Sequence, residues 1–382
     1  MIVRAPAGRM VLAAAAFGLL VGGAAGVGAR AVGAAAPPGL LLYATVDQDG
    51  ASTRLLDPTH RLDHAFAQHR PAFDAVWSPD GEHIAYLSPE RGGIDIFTFS
   101  LATFATERVT ETVAIEGGAA WSPDGRSLAF TAAPGLFYTL YVYSFETGQT
   151  RLLAGDGVPG EPAARSRGFD HYAPAWSADG RWIAFRTSAQ GWTGSLWAAR
   201  ADGSSVRRLA DDAVNLSDLA WAADGCCILY ERARPNSPPE TRSLAAVELE
   251  TGRVHVLDGV RYAALPAVAR DGRRMAFTGE PAPTDGAQLA PVSIGGLTTE
   301  LLMGEWRGRA GFGPIARLGI PSNVYTSADW SADGRWLAYD WSAAGESGIY
   351  RVEAGVPGAQ PERLTTSALD LAPRWQPGRA GG

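Results

Sequence analysis

The sequence contains no lysine, so the 33 basic residues in this chain of 382 are all arginine. They are outnumbered by 40 acidic residues, giving a formal net charge of −7. No arginine run suggests a phosphate-binding groove, which argues against a nucleic-acid surface. Cysteine is limited to the adjacent pair Cys226 and Cys227, with no CxxC and no zinc-ligand spacing. Neighbouring residues of a strand face opposite ways, so two buried thiols are expected here rather than a bridge or a redox site. The G-x-S-x-G turn of the α/β-hydrolases is also missing, which argues against a serine peptidase of that kind. Charged residues make up only 19% of the chain and hydrophobic ones 46%. That is enough apolar material for a sizeable core and too much for a disordered chain.

At the N-terminus, Arg4 and Arg9 precede an uncharged stretch from Met10 to Ala29 rich in Ala, Leu, Val and Gly. A short basic region followed by an apolar run is a secretory signal or, if retained, a membrane anchor with its arginine side inside. Residues 1–30 are assigned to this segment and residues 31–39 to an Ala/Pro/Gly tether. Residues 40–377 form one folded body, followed by a tail at 378–382. The expected location is periplasmic or otherwise extracytoplasmic, with membrane contact only through the N-terminal segment.

The folded body repeats. Trp77-Ser78-Pro79-Asp80-Gly81 leads into Ile84-Ala85-Tyr86, and Trp121-Ser122-Pro123-Asp124-Gly125 into Leu128-Ala129-Phe130. The unit returns as Trp176-Ser177-Ala178-Asp179-Gly180 and as Trp330-Ser331-Ala332-Asp333-Gly334. In Trp221-Ala222-Ala223-Asp224-Gly225 the Ser is lost, and in Val268-Ala269-Arg270-Asp271-Gly272 the Trp as well. Each unit reads as a strand ending at the marker Trp, a polar turn and a second strand opening on an apolar-Ala-aromatic triplet. Pro presets the turn, Asp bonds nearby amides and Gly accepts the positive φ that closes it. Two further strands follow, such as Leu140–Tyr143 and Glu146–Leu153. The chain is therefore expected to be all-β, a β-propeller of four-stranded blades.

The markers fall at residues 77, 121, 176, 221, 268, 330 and 375. Trp375 closes an opening strand with nothing after it, whereas Leu40–Thr45 resembles a second strand with nothing before it. Joining the two ends would complete a seventh blade and remove exposed sheet edges. Seven blades are expected, closed by the C-terminal strand, with six as the alternative if residues 31–70 are irregular.

The W-S-P-D-G and I-A-F pattern resembles the TolB-like, WD-like propeller repeat of bacterial envelope proteins over residues 40–377. No TolB-type amino-terminal domain is recognisable ahead of it. The resemblance implies a fold and says little of function, because the matched residues are packing and turn positions. Trp77, Asp80, Gly81, Trp121, Asp124, Gly125, Trp176, Asp179, Gly180, Trp221, Asp224, Gly225, Asp271, Gly272, Trp330, Asp333, Gly334 and Trp375 are accordingly read as structural.

His60, His64 and His69 have no metal-motif spacing and read as solvated loop residues. No catalytic residue, cofactor or metal is assigned. Function is instead sought where the repeat varies while its phase is held, in the segments leading into the marker strands, which include Glu116. Asp170, His171, Tyr172, Asp218, Tyr262, Tyr325 and Asp370 are expected to line the mouth of the central channel. The leading reading is a non-enzymatic exported scaffold binding an envelope protein or a cell-wall ligand. The alternative is a carbohydrate-active lyase or hydrolase with its site at the same mouth.

Overall fold

In a computed structural model of the chain, the described residues are 39–378 apart from 48–49, 66–70, 91, 113, 135–137, 155–169, 189–192, 215–217, 234–240, 282–298, 323–325, 344–345, 357 and 367–368. The export segment, nearly all of the tether and most of the tail lie outside them, as do His69 and Tyr325. Among the described residues there is no α-helix, and the regular structure is β apart from 3-10 residues at Thr241 and Gly308–Ala310. No helix among them is long and apolar enough to cross a membrane.

The strands form antiparallel four-stranded groups in sequence order. One sheet unites the two ends of the chain: Asp370–Trp375 pairs with Leu41–Asp47, followed by Gly50–Asp57 and Leu62–His64. Two further four-stranded sheets open with Val260–Val268 and with Ala328–Trp330. The remaining strands make two eight-stranded sheets, each consisting of two such groups. A single residue pair joins the groups, Ile94 with Ile115 in one sheet and Ala213 with Arg232 in the other. These groups open with Phe73–Trp77, Ile115–Trp121, Asp170–Trp176 and Ala220–Trp221.

The repeat explains this order residue by residue. In the turn after Trp121, the Ser122 hydroxyl donates to Asp124 Oδ1 at 2.6 Å, and that oxygen accepts the Arg126 N–H at 3.0 Å. Gly125 donates to the Ser122 carbonyl from φ 70°, a conformation that favours glycine. The same contacts recur around Asp80, Asp179 and Asp333. Where Ser is missing, Asp224 and Asp271 still accept the N–H two residues on. The triplets Ile84-Ala85-Tyr86, Leu128-Ala129-Phe130, Ile183-Ala184-Phe185 and Leu337-Ala338-Tyr339 are buried in cores shared between neighbouring groups. Leu41-Leu42-Tyr43 is packed in the same way. Marker indoles tie one group to another: Trp77, Trp176, Trp221 and Trp330 donate to the carbonyls of Arg374, Ala120, Ala175 and Ala267.

The cysteines depart from expectation, because Cys226 and Cys227 are bonded to each other. Cys226 belongs to the turn and only Cys227 to the strand Cys227–Arg232. The rule that neighbours face opposite ways applies within a strand and so does not separate this pair.

Candidate axial site

Five of the seven opening strands are kinked at one position. Asp74, Gly118, Ala173, Leu265 and Ala372, each three residues before its marker, have φ between 49° and 54°, and the pairing register slips at each of them. These are β-bulges, which bend a strand and leave an N–H outside the ladder. Carboxylates from the preceding group satisfy three of these donors. Gly118 donates to Asp74 Oδ2 at 3.1 Å, Leu265 to Glu231 Oε1 at 2.7 Å and Ala372 to Asp340 Oδ2 at 3.0 Å. Asp340 also accepts the N–H and the hydroxyl of Ser327.

Several acidic groups of the opening strands and their neighbours gather around Arg374, and Arg270 also acts on Asp329. Arg374, on the last strand, reaches Asp218 Oδ2 at 2.7 Å, although Asp218 precedes the opening strand of a distant group. Burial works against the Arg374 charge, but the carboxylates of Asp218, Asp329, Asp74 and Asp340 outweigh it and hold the guanidinium above its ordinary acidity range. Asp74 is held above the usual carboxylate range by its enclosure in protein and then by repulsion from Asp218, although water reaches its side chain. Asp329 and Asp340 are each pushed up to about 6, in both cases by burial. The Trp375 N–H on Asp329 Oδ2 at 2.7 Å and the bonds to Asp340 only partly offset it. The result is an acidic cluster joined by Arg374, in which Asp329 and Asp340 are raised to about 6.

Of the sequence-predicted mouth residues, Asp218 is in this cluster, with its side chain 70% exposed. Asp170, His171 and Tyr172 lie on the strand Asp170–Trp176, opposite Ser188, Thr187 and Arg186, with side chains outside the described residues. Tyr262 and Asp370 are buried at 2% and 1% exposure, so their side chains do not open onto a mouth. Glu116 is buried too, accepting from Ile96 N–H, Thr110 and Thr112, and burial pushes it up to about 7. Sequence reasoning missed Asp74, Asp329, Asp340 and Arg374. The signal available was phase: Asp74 and Asp218 stand three residues before a marker, Asp329 and Arg374 immediately before one. Of the histidines, His60 sits in an exposed turn beside Asp57, and His64 ends an exposed strand.

A family model for the TolB beta propeller domain matches residues 44–310. None of the curated proteins matches the sequence. Among solved structures, TolB from Acinetobacter baumannii is similar at 15% identity and a TM-score of 0.50, with 86% of this chain and 79% of that one covered. An oligogalacturonate lyase in complex with manganese is similar at 14% identity and a TM-score of 0.56, covering 82% of this chain and 86% of that chain. The oligogalacturonate lyase of Vibrio parahaemolyticus is 13% identical, with a TM-score of 0.55 and coverage of 82% and 85%. At these identities the likeness concerns the fold. Among the described residues no three His, Cys, Asp or Glu side chains are placed to hold a metal ion, so the lyase's manganese has no fitting ligand set in this part of the chain.

Proposed function

The chain belongs to the TolB β-propeller family, and on that premise we propose that it is a non-enzymatic exported propeller that captures an envelope protein or a cell-wall ligand at its axial mouth. In this reading the ring has seven four-stranded blades, the last strand completing the blade begun at Leu41, and residues 1–30 direct the chain out of the cytoplasm. The strand grouping and the pairing of Asp370–Trp375 with Leu41–Asp47 support this arrangement.

One observation carries the assignment of the site: Asp74, Asp218, Asp329 and Arg374, from separate groups, interact in one cluster. Arg374 occupies acceptors that a cationic group of a ligand would also use, so capture exchanges one charge-assisted bond for another. His171, Tyr172 and Tyr325 extend the rim in this reading, and Asp170 stands at its edge. Tyr262 and Asp370 support the strands from within.

The enzymatic alternative draws on Asp329, whose carboxyl is pushed up to about 6 and could deliver a proton near neutrality. Asp340 has a similar acidity but is engaged by the Ala372 and Ser327 amides, which suits a structural cap better than an acid. The test is a pull-down from envelope extract with the wild type and with Asp74→Asn/Asp218→Asn. Loss of capture with unchanged melting supports the mouth, and undiminished capture contradicts it. Turnover of an oligosaccharide by the wild type that vanishes in Asp329→Asn would establish the enzymatic alternative instead.

A further inference from the structure

A second concavity lies between two turns of the repeat and shares no residue with the axial cluster. It is a cleft of about 770 Å³, bounded by the turns at Ser122–Asp124 and Ala178–Gly180, by the outer strand from Gln149 and by Asp202. Its size falls within the range of roughly 300–1,000 Å³ seen for small-molecule sites. Two comparable junctions are occupied. Gln376 donates to the Gly81 carbonyl at 2.7 Å, and Arg274 to the Gly334 carbonyl at 2.8 Å, each side chain lying across its turn. At Gly180 only the ring of Pro123 comes within 4 Å of where a side chain would start, while Arg181 bonds Asp179 in the same turn.

The lining combines the indole of Trp176 with the apolar side chains of Val142 and Ala178 and with hydrogen-bonding groups of several kinds. Trp176 spends its N–H on the Ala120 carbonyl, so what it offers a ligand is ring surface. Asp124 and Asp202 each commit Oδ1 to their own turns, to Ser122 and Arg126 N–H in one case and to Ser204 in the other. Their Oδ2 atoms have no hydrogen bond among the described residues, and neither does the exposed side-chain amide of Gln149. Ring surface flanked by carboxylate and amide acceptors matches a sugar, which has an apolar C–H face and equatorial hydroxyl donors. A purely apolar ligand would leave these acceptors unmatched.

Charge narrows the class further. Among the residues lining the cleft, Asp124, Asp179 and Asp202 are acidic and Arg151, engaged with the Ala201 carbonyl, is the one base; from outside the lining Arg181 pairs with Asp179 and Arg200 approaches Asp202 Oδ2 at 3.8 Å. The Ser122 and Ser177 hydroxyls hold Asp124 and Asp179 below the usual carboxylate range, and Ser204 does the same for Asp202, so all three are ionised at neutral pH. An acidic sugar entering here would meet more carboxylates than cations along the lining. The geometry points to this inter-turn cleft as a binding site for a short neutral oligosaccharide, distinct from the axial mouth.

The test is calorimetric titration of the mature protein with cellotriose, with triacetylchitotriose and with trigalacturonate. At least one neutral trisaccharide is expected to bind at millimolar concentration or below, and trigalacturonate is not. Gln149→Ala and Asp202→Asn each remove one exposed partner and should weaken neutral binding about three- to tenfold, with unchanged melting. Asp218→Asn, at the axial opening, should leave it as in the wild type. Absence of binding by both neutral sugars, or equal binding of trigalacturonate, would overturn the inference. So would loss of binding in Asp218→Asn with retention in the cleft variants, which would move the sugar to the axis.

Discussion

Asp124 and Asp179 in the turns, and Asp74, Asp329 and Asp340 near the axis, have one side chain and opposite acidities. In the turns, Asp179 is lowered to about 2, first by the Ser177 hydroxyl and then, against some burial, by Arg181. Asp124 is lowered first by Ser122. Near the axis, burial dominates and lifts Asp74, Asp329 and Asp340 despite the backbone donors they hold. Both sets accept N–H groups, so hydrogen bonding alone does not set the outcome. What differs is the company: a serine and open water in one place, enclosure in the other, joined at Asp74 by the carboxylate of Asp218. A carboxylate lowered in the folded state contributes stability at neutral pH, whereas a raised one gives some up. Natural proteins tolerate that loss where a site needs the group, which is why partner capture is placed at the axis.

The comparison breaks first if the two ends of the chain are parted. Trp375 is buried, its strand pairs with Leu41–Asp47, and the Arg374 carbonyl accepts from the Trp77 indole. Deleting residues 370–382 removes these together with the axial cation. A loss of several kcal/mol is expected, as when a large core aromatic and a strand's pairing go at once. Thermal melting that matched the full chain would show that neither the core nor the axis depends on the last strand.

The turns were legible in the sequence because every element of W-S-x-D-G has a local task. Serine and aspartate bond within the turn, glycine supplies the positive φ, and the contacts of Asp124 follow from spacing alone. The axis was legible only at Asp218. The bulge places Asp74, Gly118, Ala173, Leu265 and Ala372 in the same left-handed conformation, yet these residues share no chemistry that a reader of the sequence could follow. The partner of Arg374 lies 156 positions away, and no local pattern encodes that distance. Tyr262 and Asp370 stand a few residues too early in their strands to reach past the bulge, and both are buried. Cys226 escaped because the end of its turn falls between the two sulfurs.

A titration sharpens the contrast. Followed by carboxyl NMR, Asp179 should titrate near 2 and Asp340 near 6. The signs follow from proton binding in the two states. Above its unfolded value near pH 4, Asp340 binds more protons folded than unfolded, so its contribution to stability falls as pH rises to about 6. Asp179 behaves oppositely, its contribution being present above pH 4 and lost as pH drops toward 2. In Asp340→Asn the decline of melting temperature between about pH 4 and 6 should flatten. An Asp340 that titrates like an exposed carboxyl would remove the part assigned to burial.

The most direct test makes the same substitution in both places and compares thermal melts at pH 7. Asp124→Asn removes the charge that strengthens the bonds from Ser122 and Arg126 and should destabilise by roughly 1 kcal/mol. Asp74→Asn keeps an oxygen for the Gly118 N–H while relieving burial of charge and repulsion from Asp218. Its melting temperature should equal or exceed that of the wild type. If Asp74→Asn instead lowers it as much as Asp124→Asn does, the axial carboxylates hold the fold as the turn carboxylates do, and the division of labour between the two regions is wrong.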